Sequence, residues 1–580
     1  MARVAPTYAA RVQISPTEWL SFRDPALVLQ ADSTDAVRRT LVDVEQLTRD
    51  RGLHAVGYVS YEAAAAFGLA VGRPDERLPL AWFALYEKAH VAATGAPMST
   101  GAYTLGSLEP SVDRSRFDAA FARIKGHLAA GDSYQVNYTF RMNAAFEGDA
   151  EALFADLVGS QRGQYSVFVD IGDLVICSAS PELFFEFQGA EIVARPMKGT
   201  ARRGRTLDED RGAAEALASS SKERAENVMV VDMIRNDLGR VADVGTVGVT
   251  ELFTVERYPN VWQMTSVVRA RSLAPLEAIF AALHPSASVT GAPKVRTMEL
   301  LADLESGPRG VYTGAVGHIP PDGLARFNVA IRTAVVDRQR QSVTFGLGSG
   351  IVWDSSADGE YAECLLKASV LGKRPPAFQL LETMLWSPDT GYVLLDRHLQ
   401  RLCDAAEYFS RAFSRADVDG ALGAAVNGAT QPLRVRLLID EAGIVTTQAR
   451  PHVPTAVPLK VALAKHPVDP ADVFLFHKTT NRTVYEAARR SVDGVEEVLL
   501  WNAAGELTEA TTANVVVEVN GARVTPPVDC GLLPGTWRAA MLDAGEVVEE
   551  RVPVASLEPS TRLWLVNSVH GVREAVLVSA

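Results

Sequence analysis

Two prolines behind two basic residues, Gly372-Lys-Arg-Pro-Pro-Ala377, limit most sharply what this chain can fold into. Proline fixes its own φ, lacks an N–H, and pushes the residue before it out of the helical region, so neither helix nor sheet runs through the pair. A helix-like stretch from Glu360 to Leu371 has to end there, and a strand-like apolar run, Phe378 to Trp386, starts afresh. At about 100–200 residues per domain, 580 residues also exceed one compact unit. Two regions are therefore expected, residues 1–372 and 373–580, with the boundary near 374. Neither repeats nor low-complexity tracts interrupt them.

The chain is 47% hydrophobic and 22% charged, the composition of a globular protein. A net charge of −13 argues against a nucleic-acid binder, which needs a basic surface to displace counterions. It leaves room for a small anionic substrate, because a local basic pocket can coexist with an acidic surface. Four cysteines, Cys177, Cys364, Cys403 and Cys530, show no C-x-x-C spacing, so neither a disulfide framework nor a zinc site is expected, and a reducing cytoplasm fits. The N-terminal stretch lacks the apolar core of a secretory signal, and no apolar run is long enough to span a membrane.

Both regions mix strands and helices, an α+β or α/β pattern. Leu174–Ser178 and Glu191–Ala194 read as strands. Ala225–Leu238 reads as a helix with Val228, Val231 and Ile234 at helical spacing, and Pro293–Leu304 as another with Val295, Met298 and Leu301 along one side. In the second region, strands are expected at Val435–Ile439, Glu497–Trp501 and Asn514–Val519, and helices at Arg397–Phe409 and Thr483–Arg490.

Two helical segments each carry a carboxylate pair three residues apart, Glu223/Glu226 and Glu360/Glu363. Such pairs share a helix face. If the four acids converge, a cation belongs between them, and Mg²⁺ suits oxygen ligands and a substrate oxyanion. Solvated helix faces are the other reading. Gly346-Leu-Gly-Ser-Gly350 can bring bare backbone N–H groups to an anion or mark a turn. Arg332 lies between apolar residues, as in mid-strand, where either a ligand carboxylate or a protein carboxylate would pair with it.

Taken in order, SPELFFE (180–186), RPMKGTARRG (195–204), AENVMVVDMIRNDLGRV (225–241), HPSASVTGAPKVRTMELLADLE (284–305), GVYTGAVG (310–317), VAIRT (329–333) and GLGSGIVWDSSADGEYAECLLKA (346–368) resemble the chorismate-utilising enzymes. The resemblance covers about residues 15–372. It implies an anthranilate-synthase-like α/β sandwich holding chorismate and Mg²⁺. Glu226 and Glu363 match its metal ligands, and Glu223 and Glu360 the acids behind the metal's waters. Tyr312, Arg332, Lys367 and the Gly348-Ser349-Gly350 backbone match its binders of substrate carboxylates. Lys198 in the PMKGT motif resembles the lysine of the aminodeoxychorismate synthases, where anthranilate synthases have alanine. Its amine can attack C2 of chorismate while the C4 hydroxyl leaves, with Glu182 matching the general acid; ammonia then adds at C4. Gln263 departs from the family's histidine and cannot shuttle a proton at neutral pH. No Gly-x-Cys-x-Gly elbow is present, so ammonia is expected from solution or from a glutamine amidotransferase subunit.

LLDRHLQRLCDAAEYF (394–409), FHKTTNRTVYEAAR (476–489), GELTEATTANVVVEV (505–519), TPPVDCGLLPGTWR (525–538) and NSVHGV (567–572) resemble the fold-type IV pyridoxal-phosphate enzymes over residues 377–580. Carried over, Lys478 joins pyridoxal 5'-phosphate and moves the proton, Glu509 meets the pyridine nitrogen, and Arg401, Thr536 and Ser568 meet the phosphate. The sequence Lys478-Thr-Thr-Asn-Arg482 resembles the aminodeoxychorismate lyases. Fold-type IV enzymes usually pair, so a homodimer through the tail is expected. The tail starts without the opening strands of free-standing relatives, which the front region is expected to replace. Synthase and lyase are consecutive, and 4-aminobenzoate, for folate or a secondary metabolite, is the expected product. The alternatives are an anthranilate synthase joined to an aminotransferase, a chain with only the front region active, and a non-catalytic partner of a glutaminase.

Overall fold

Runs of β-branched and aromatic residues dominate the strands of this protein, as expected of side chains that pack well on a pleated surface. A computed structural model of the chain describes residues 8–92, 99, 101–372, 374 and 376–578. The first seven residues of the N-terminal stretch, and Lys373 and Pro375 of the proline run, lie outside the described residues. The chain divides into two units. One comprises Met1–Arg202 and Ala214–Pro375, the other Arg203–Ala213 and Pro376–Ala580.

Among the described residues, the first unit has sheets of eleven and ten strands. In the larger sheet the long strand Gln135–Gly148 pairs with Ser342–Ile351 in unbroken register, from Ser342 opposite Ala145 to Ile351 opposite Val136. Phe22, Val169 and Ile176 of the larger sheet share one apolar cluster with Val56, Trp82 and Val316 of the smaller, so the sheets face each other. Phe117, Phe140 and Phe154 pack helices Arg114–Ala129 and Ala150–Gln161 on the outside of the larger sheet. Phe185, Phe280 and Phe327 do the same for the smaller, beneath Leu276–Leu283. The result is four layers, helix, sheet, sheet, helix.

The expected elements at 174–178, 191–194, 225–238 and 293–304 all form, the helices as Ser221–Gly239 and Lys294–Leu304. Helical spacing alone does not single out the buried row. Val228 is 38% and Val295 58% exposed; the buried positions are Val230, Val231, Ile234 and Leu238 on one helix, and Met298, Leu300 and Leu301 on the other. Each helix offers two adjacent apolar rows, and the row chosen is set by the sheet it meets.

In the second unit, Leu380–Ser387 and Leu433–Ile439 lie at the middle of a four-stranded sheet. The remaining strands include a closed ring. Leu507–Ala510 pairs with both Glu497–Trp501 and Asn514–Val519, so these three strands close with Leu459–Leu463, Leu563–Asn567 and Gly571–Leu577 into a six-stranded barrel. Leu459, Leu499, Val515, Leu565 and Ala575 share one core cluster within it.

Arg203–Ala213 is the unforeseen part of this unit. Fully buried Asp210 accepts from Arg203 Nε at 2.6 Å and Nη2 at 2.7 Å. The guanidinium also donates to the Tyr408 carbonyl at 2.8 Å and lies over the Tyr408 ring, whose hydroxyl donates to the Gly204 carbonyl. Arg205 continues the attachment through the Pro470 and Asp529 carbonyls, and its own carbonyl meets His477 Nε2 at 3.0 Å. Removing one member of a buried pair strands the other charge, at about 3–5 kcal/mol. Arg203→Met should therefore lower the second unit's transition in calorimetry of the whole chain, and Arg203→Met/Asp210→Leu should recover most of the loss.

Candidate active sites

The first site begins where the chain passes between the two sheets of the first unit. Strand Leu174–Ser180 belongs to the larger sheet and Leu183–Gln188 to the smaller; Glu182 sits on the link. A second link joins Ala325–Val329 of the smaller sheet to Thr333–Asp337 of the larger and carries Arg332. The links bond to each other: Val329 N donates to the Glu182 carbonyl, Ala179 N to the Arg332 carbonyl, and Ser180 Oγ to the Val329 carbonyl at 2.6 Å. Arg332 is therefore not a mid-strand residue. It takes the left-handed conformation, φ 52°, that the change of sheet demands. Its Nη1 donates to the Lys367 carbonyl at 3.1 Å and not to a carboxylate, and burial holds the guanidinium below its ordinary value.

Lys198 lies on strand Met197–Arg202 at a register shift against Val261–Arg271, a bulge that re-aims a side chain. Gly199 at φ 101° makes this possible, since a Cβ there would press on Met264 and Glu223 at 3.2–3.3 Å. Gln263 Nε2 donates to the Gly199 carbonyl at 2.7 Å and its Oε1 accepts from Thr200, so this glutamine ties down the bulge. Asn227 Nδ2 donates to the Lys198 carbonyl. The lysine ammonium stands 3.2 Å from Glu226, and a Cβ on Gly350 would lie 2.8 Å from it.

Lys198 thus draws together residues of both sheets and two helices. Its charge acts on Glu182, Glu223 and Glu363. Glu223 is pushed up by burial and then by neighbouring Glu226, as two carboxylates sharing one field must be. Glu363 has an exposed side chain; desolvation by its neighbours opposes its charge, but Lys367 at 2.7 Å holds it below its ordinary value. Glu360 is partly buried in the first turn of the same helix, Ala357–Ala368. Among the described residues no three acidic, histidine or cysteine side chains form a metal-sized group. Glu223, Glu226 and Glu363, from two helices, share the field of Lys198. Two carboxylates from two helices still fit Mg²⁺, which takes one or two and keeps waters, and a cation would relieve the Glu223–Glu226 repulsion.

Gly348, Ser349 and Gly350 lie in a strand and not a loop. They pair with Thr139, Tyr138 and Asn137 on one edge, while the pairing on the other edge stops at Phe345. That edge can offer backbone groups; Lys367 Nζ caps the Gly348 carbonyl at 2.9 Å. Tyr312 is buried under Arg141, against Gly346, where a Cβ would collide with its ring.

Glu182 is 3% exposed and its Oε1 has no hydrogen-bond partner among the described residues. Burial, against Ser288, the Met197 amide and Lys198, pushes its carboxyl from 4.5 up to about 7. A carboxyl with its folded value above its unfolded one binds a proton more tightly when folded, so it destabilises wherever it is ionised, in full above pH 7. Glu182→Gln should raise stability by up to about 3 kcal/mol at pH 9 and leave it nearly unchanged at pH 4, measured by denaturant unfolding, while lowering turnover.

The second site forms around two residues that the sequence reading passed over, Glu382 and His398. Glu382, the third residue of the unit's first strand, Leu380–Ser387, accepts both Arg401 Nε at 2.9 Å and Nη2 at 2.7 Å. His398, one turn before Arg401 on helix Leu395–Tyr408, gives Nδ1 to Glu382 at 2.6 Å, while Nε2 meets Ser568 Oγ at 2.9 Å and Thr536 Oγ1 at 3.3 Å. Burial opposes charge on Glu382, yet Arg401 and His398 bring it down to about 2. Arg401, Thr536 and Ser568 are thereby brought together, with Thr536 opening helix Thr536–Asp543 as a phosphate contact should. A glutamate ahead of a helical His-x-x-Arg was the available signal.

Lys478 is pinned to the first strand by its carbonyl, which accepts from Leu381 N. Burial and the Arg401 charge lower its amine to about 8; Glu509 acts the other way. Glu509 is buried, accepts from the Tyr485 hydroxyl at 2.8 Å and Leu533 N at 3.1 Å, and is pushed up to about 7 by burial. A poised amine within the fields of a buried carboxyl and of Arg401 fits pyridoxal phosphate.

Residues 8–373 match the family described as chorismate binding enzyme, and residues 379–578 that described as amino-transferase class IV. Over 276 residues the chain is 38% identical to aminodeoxychorismate synthase component 1 of Salmonella typhimurium, covering 47% of this chain and 60% of that protein. Over 272 residues it is also 38% identical to anthranilate synthase component 1 of Thermus thermophilus, covering 45% and 58%. The chain thus spans about 60% of the length of these curated relatives. The crystal structure of anthranilate synthase component I from Streptococcus pneumoniae superposes with a TM-score of 0.52 at 24% identity, over 64% of this chain and 94% of that one, a likeness of fold.

Proposed function

This chain belongs to the chorismate binding enzymes and carries a class IV amino-transferase domain behind that part; from that premise we propose that it makes 4-aminobenzoate in two consecutive steps. The observation that carries the reading is Lys198, aimed from its bulge into the fields of Glu182, Glu226 and Glu363.

In the first step, chorismate lies with its carboxylates toward Arg332, Tyr312, Lys367 and the open strand edge at Gly348–Gly350. The Lys198 amine bonds to C2, both ring double bonds shift by one position toward C4, and the C4 hydroxyl leaves as water with a proton from Glu182, which is half protonated near pH 7. Ammonia then bonds to C4, both double bonds return to their first positions, and the Lys198–C2 bond breaks. Glu226 and Glu363 would hold Mg²⁺ with Glu223 and Glu360 behind its waters, and the ion would neutralise a substrate carboxylate. Gln263 serves by fixing Gly199 and Thr200, so no proton need pass through it. A separate glutamine amidotransferase supplies ammonia.

In the second unit, pyridoxal phosphate would supply an electron sink. Arg401, Thr536 and Ser568 would hold its phosphate, and Glu509 would meet its pyridine nitrogen. Lys478 removes the proton from C4 of the aminated ring, and pyruvate leaves as the ring becomes aromatic. Two copies pair through this unit.

Purified chain with chorismate, Mg²⁺, pyridoxal phosphate and ammonium should release 4-aminobenzoate and pyruvate. Lys198→Ala should abolish both, and Lys478→Ala should stop the reaction at aminodeoxychorismate. Anthranilate as the product would overturn the reading of Lys198, and a monomer in light scattering would overturn the pairing.

A further inference from the structure

The second unit of this acidic protein carries a cluster of positive groups that its own carboxylates leave unmatched. Arg434 and Arg450 stand directly opposite each other on strands Leu433–Ile439 and Val445–Pro451, with Arg436 two residues along on the same face. Like charges directly opposite across a sheet repel. Arg436 is held below its ordinary value by burial and by Arg434, Arg482 and Arg450.

A second, independent observation lies in the barrel. Along Gly571–Leu577 every second residue is buried, and Arg573 takes one of those positions with Ala575 and Leu577. It pairs across the sheet with buried Leu565. Arg573 is only 7% exposed, yet its Nε and Nη2 have no hydrogen-bond partner among the described residues. Glu497, the acid whose charge reaches it, accepts instead from the Thr511 and Thr512 hydroxyls. A buried guanidinium with two open donors is expensive unless something fills them.

Arg573 lines a cavity of about 400 Å³ together with His452, Trp537, Ser568 and His570. That volume suits a small ring compound. His570 is lowered to about 4 by burial and then by Arg573, His452 and Arg434, so it enters as a neutral hydrogen-bonding group. The cavity reaches Ser568, whose hydroxyl meets His398 of the anchor described above.

We propose that Arg573, with His570 and the opposed Arg434–Arg450 pair, forms a receptor for a carboxylate of the ring acid on which the second unit acts. Rigid planar donors recognise a carboxylate through paired hydrogen bonds, and the anion would also relieve the repulsion between the strands. The proposal rests on the lyase reading and extends it by naming what fixes the substrate away from Lys478.

Benzoate and benzamide, one ring with and without the charge, test it. Each is titrated into the whole chain loaded with pyridoxal phosphate, and the cofactor's absorbance is followed, which reports the second unit alone. Benzoate should perturb the spectrum saturably and benzamide should not. Arg573→Gln and, separately, the exposed Arg434→Gln should each raise benzoate's half-saturation on the order of tenfold, and raise KM for the aminated ring acid more than they lower kcat. Arg434→Gln decides the matter if Arg573→Gln does not fold. Equal responses to benzoate and benzamide, or unchanged half-saturation in Arg434→Gln, would overturn the receptor. If benzoate behaves as stated and no 4-aminobenzoate forms, the receptor stands and the lyase reading fails; if 4-aminobenzoate forms with normal KM in both variants, the reverse holds.

Discussion

Everything in the first site depends on two neighbouring chain crossings between sheets. At one the chain leaves the larger sheet after Ser180 and enters the smaller at Leu183; at the other it returns from Val329 to Thr333. Backbone bonds lock the crossings together, so Glu182 and Arg332 are positioned by one rigid joint. Their side chains are also buried by it, which is why neither has ordinary acid–base behaviour. A left-handed arginine and a carboxyl without a full set of bonds are both strained choices. Surrounding sheet structure over-determines them, and such strain clusters where ligands are handled.

The second unit reaches a comparable end by other means. There the fixed element is a carboxylate, Glu382, gripped by Arg401 and His398. Through His398 it orients the hydroxyls of Ser568 and Thr536. One buried acid thus organises an otherwise cationic pocket, and because its value lies near 2 it stays charged through the whole physiological range. Lys478 sits in the same field with the opposite tuning, an amine brought toward neutrality by burial and by Arg401.

Much of this was legible in the sequence, unevenly. Long apolar runs such as Leu174–Ser180 and Asn514–Val519 announced their strands, and Thr483–Arg490 was read to the residue. Ordered motifs placed Lys198 and Lys478. Spacing failed at Val228 and Val295, where a helix offers two apolar rows and only the opposing sheet selects one. It failed at Arg332, because apolar neighbours look alike in a strand and in a crossing between strands. Glu382 and His398 went unnoticed because nothing local shows that an acid and a histidine sixteen residues apart will meet. The closure of the six-stranded barrel was beyond local pattern for the same reason.

The segment Arg203–Ala213 gives the second unit a discontinuous covalent plan. A small stretch of it is synthesised early, and the remainder arrives only after residues 214–375 have emerged. Closing so long an interval carries an entropy that grows only slowly with its length, so equilibrium tolerates the arrangement. Heredity tolerates it less: a gene split at the proline run would hand one product a surplus peptide and leave the other with a buried vacancy at Tyr408 and His477. The fusion is thus held together by more than its linker, and evolutionary separation of the halves would first have to rebuild those eleven residues.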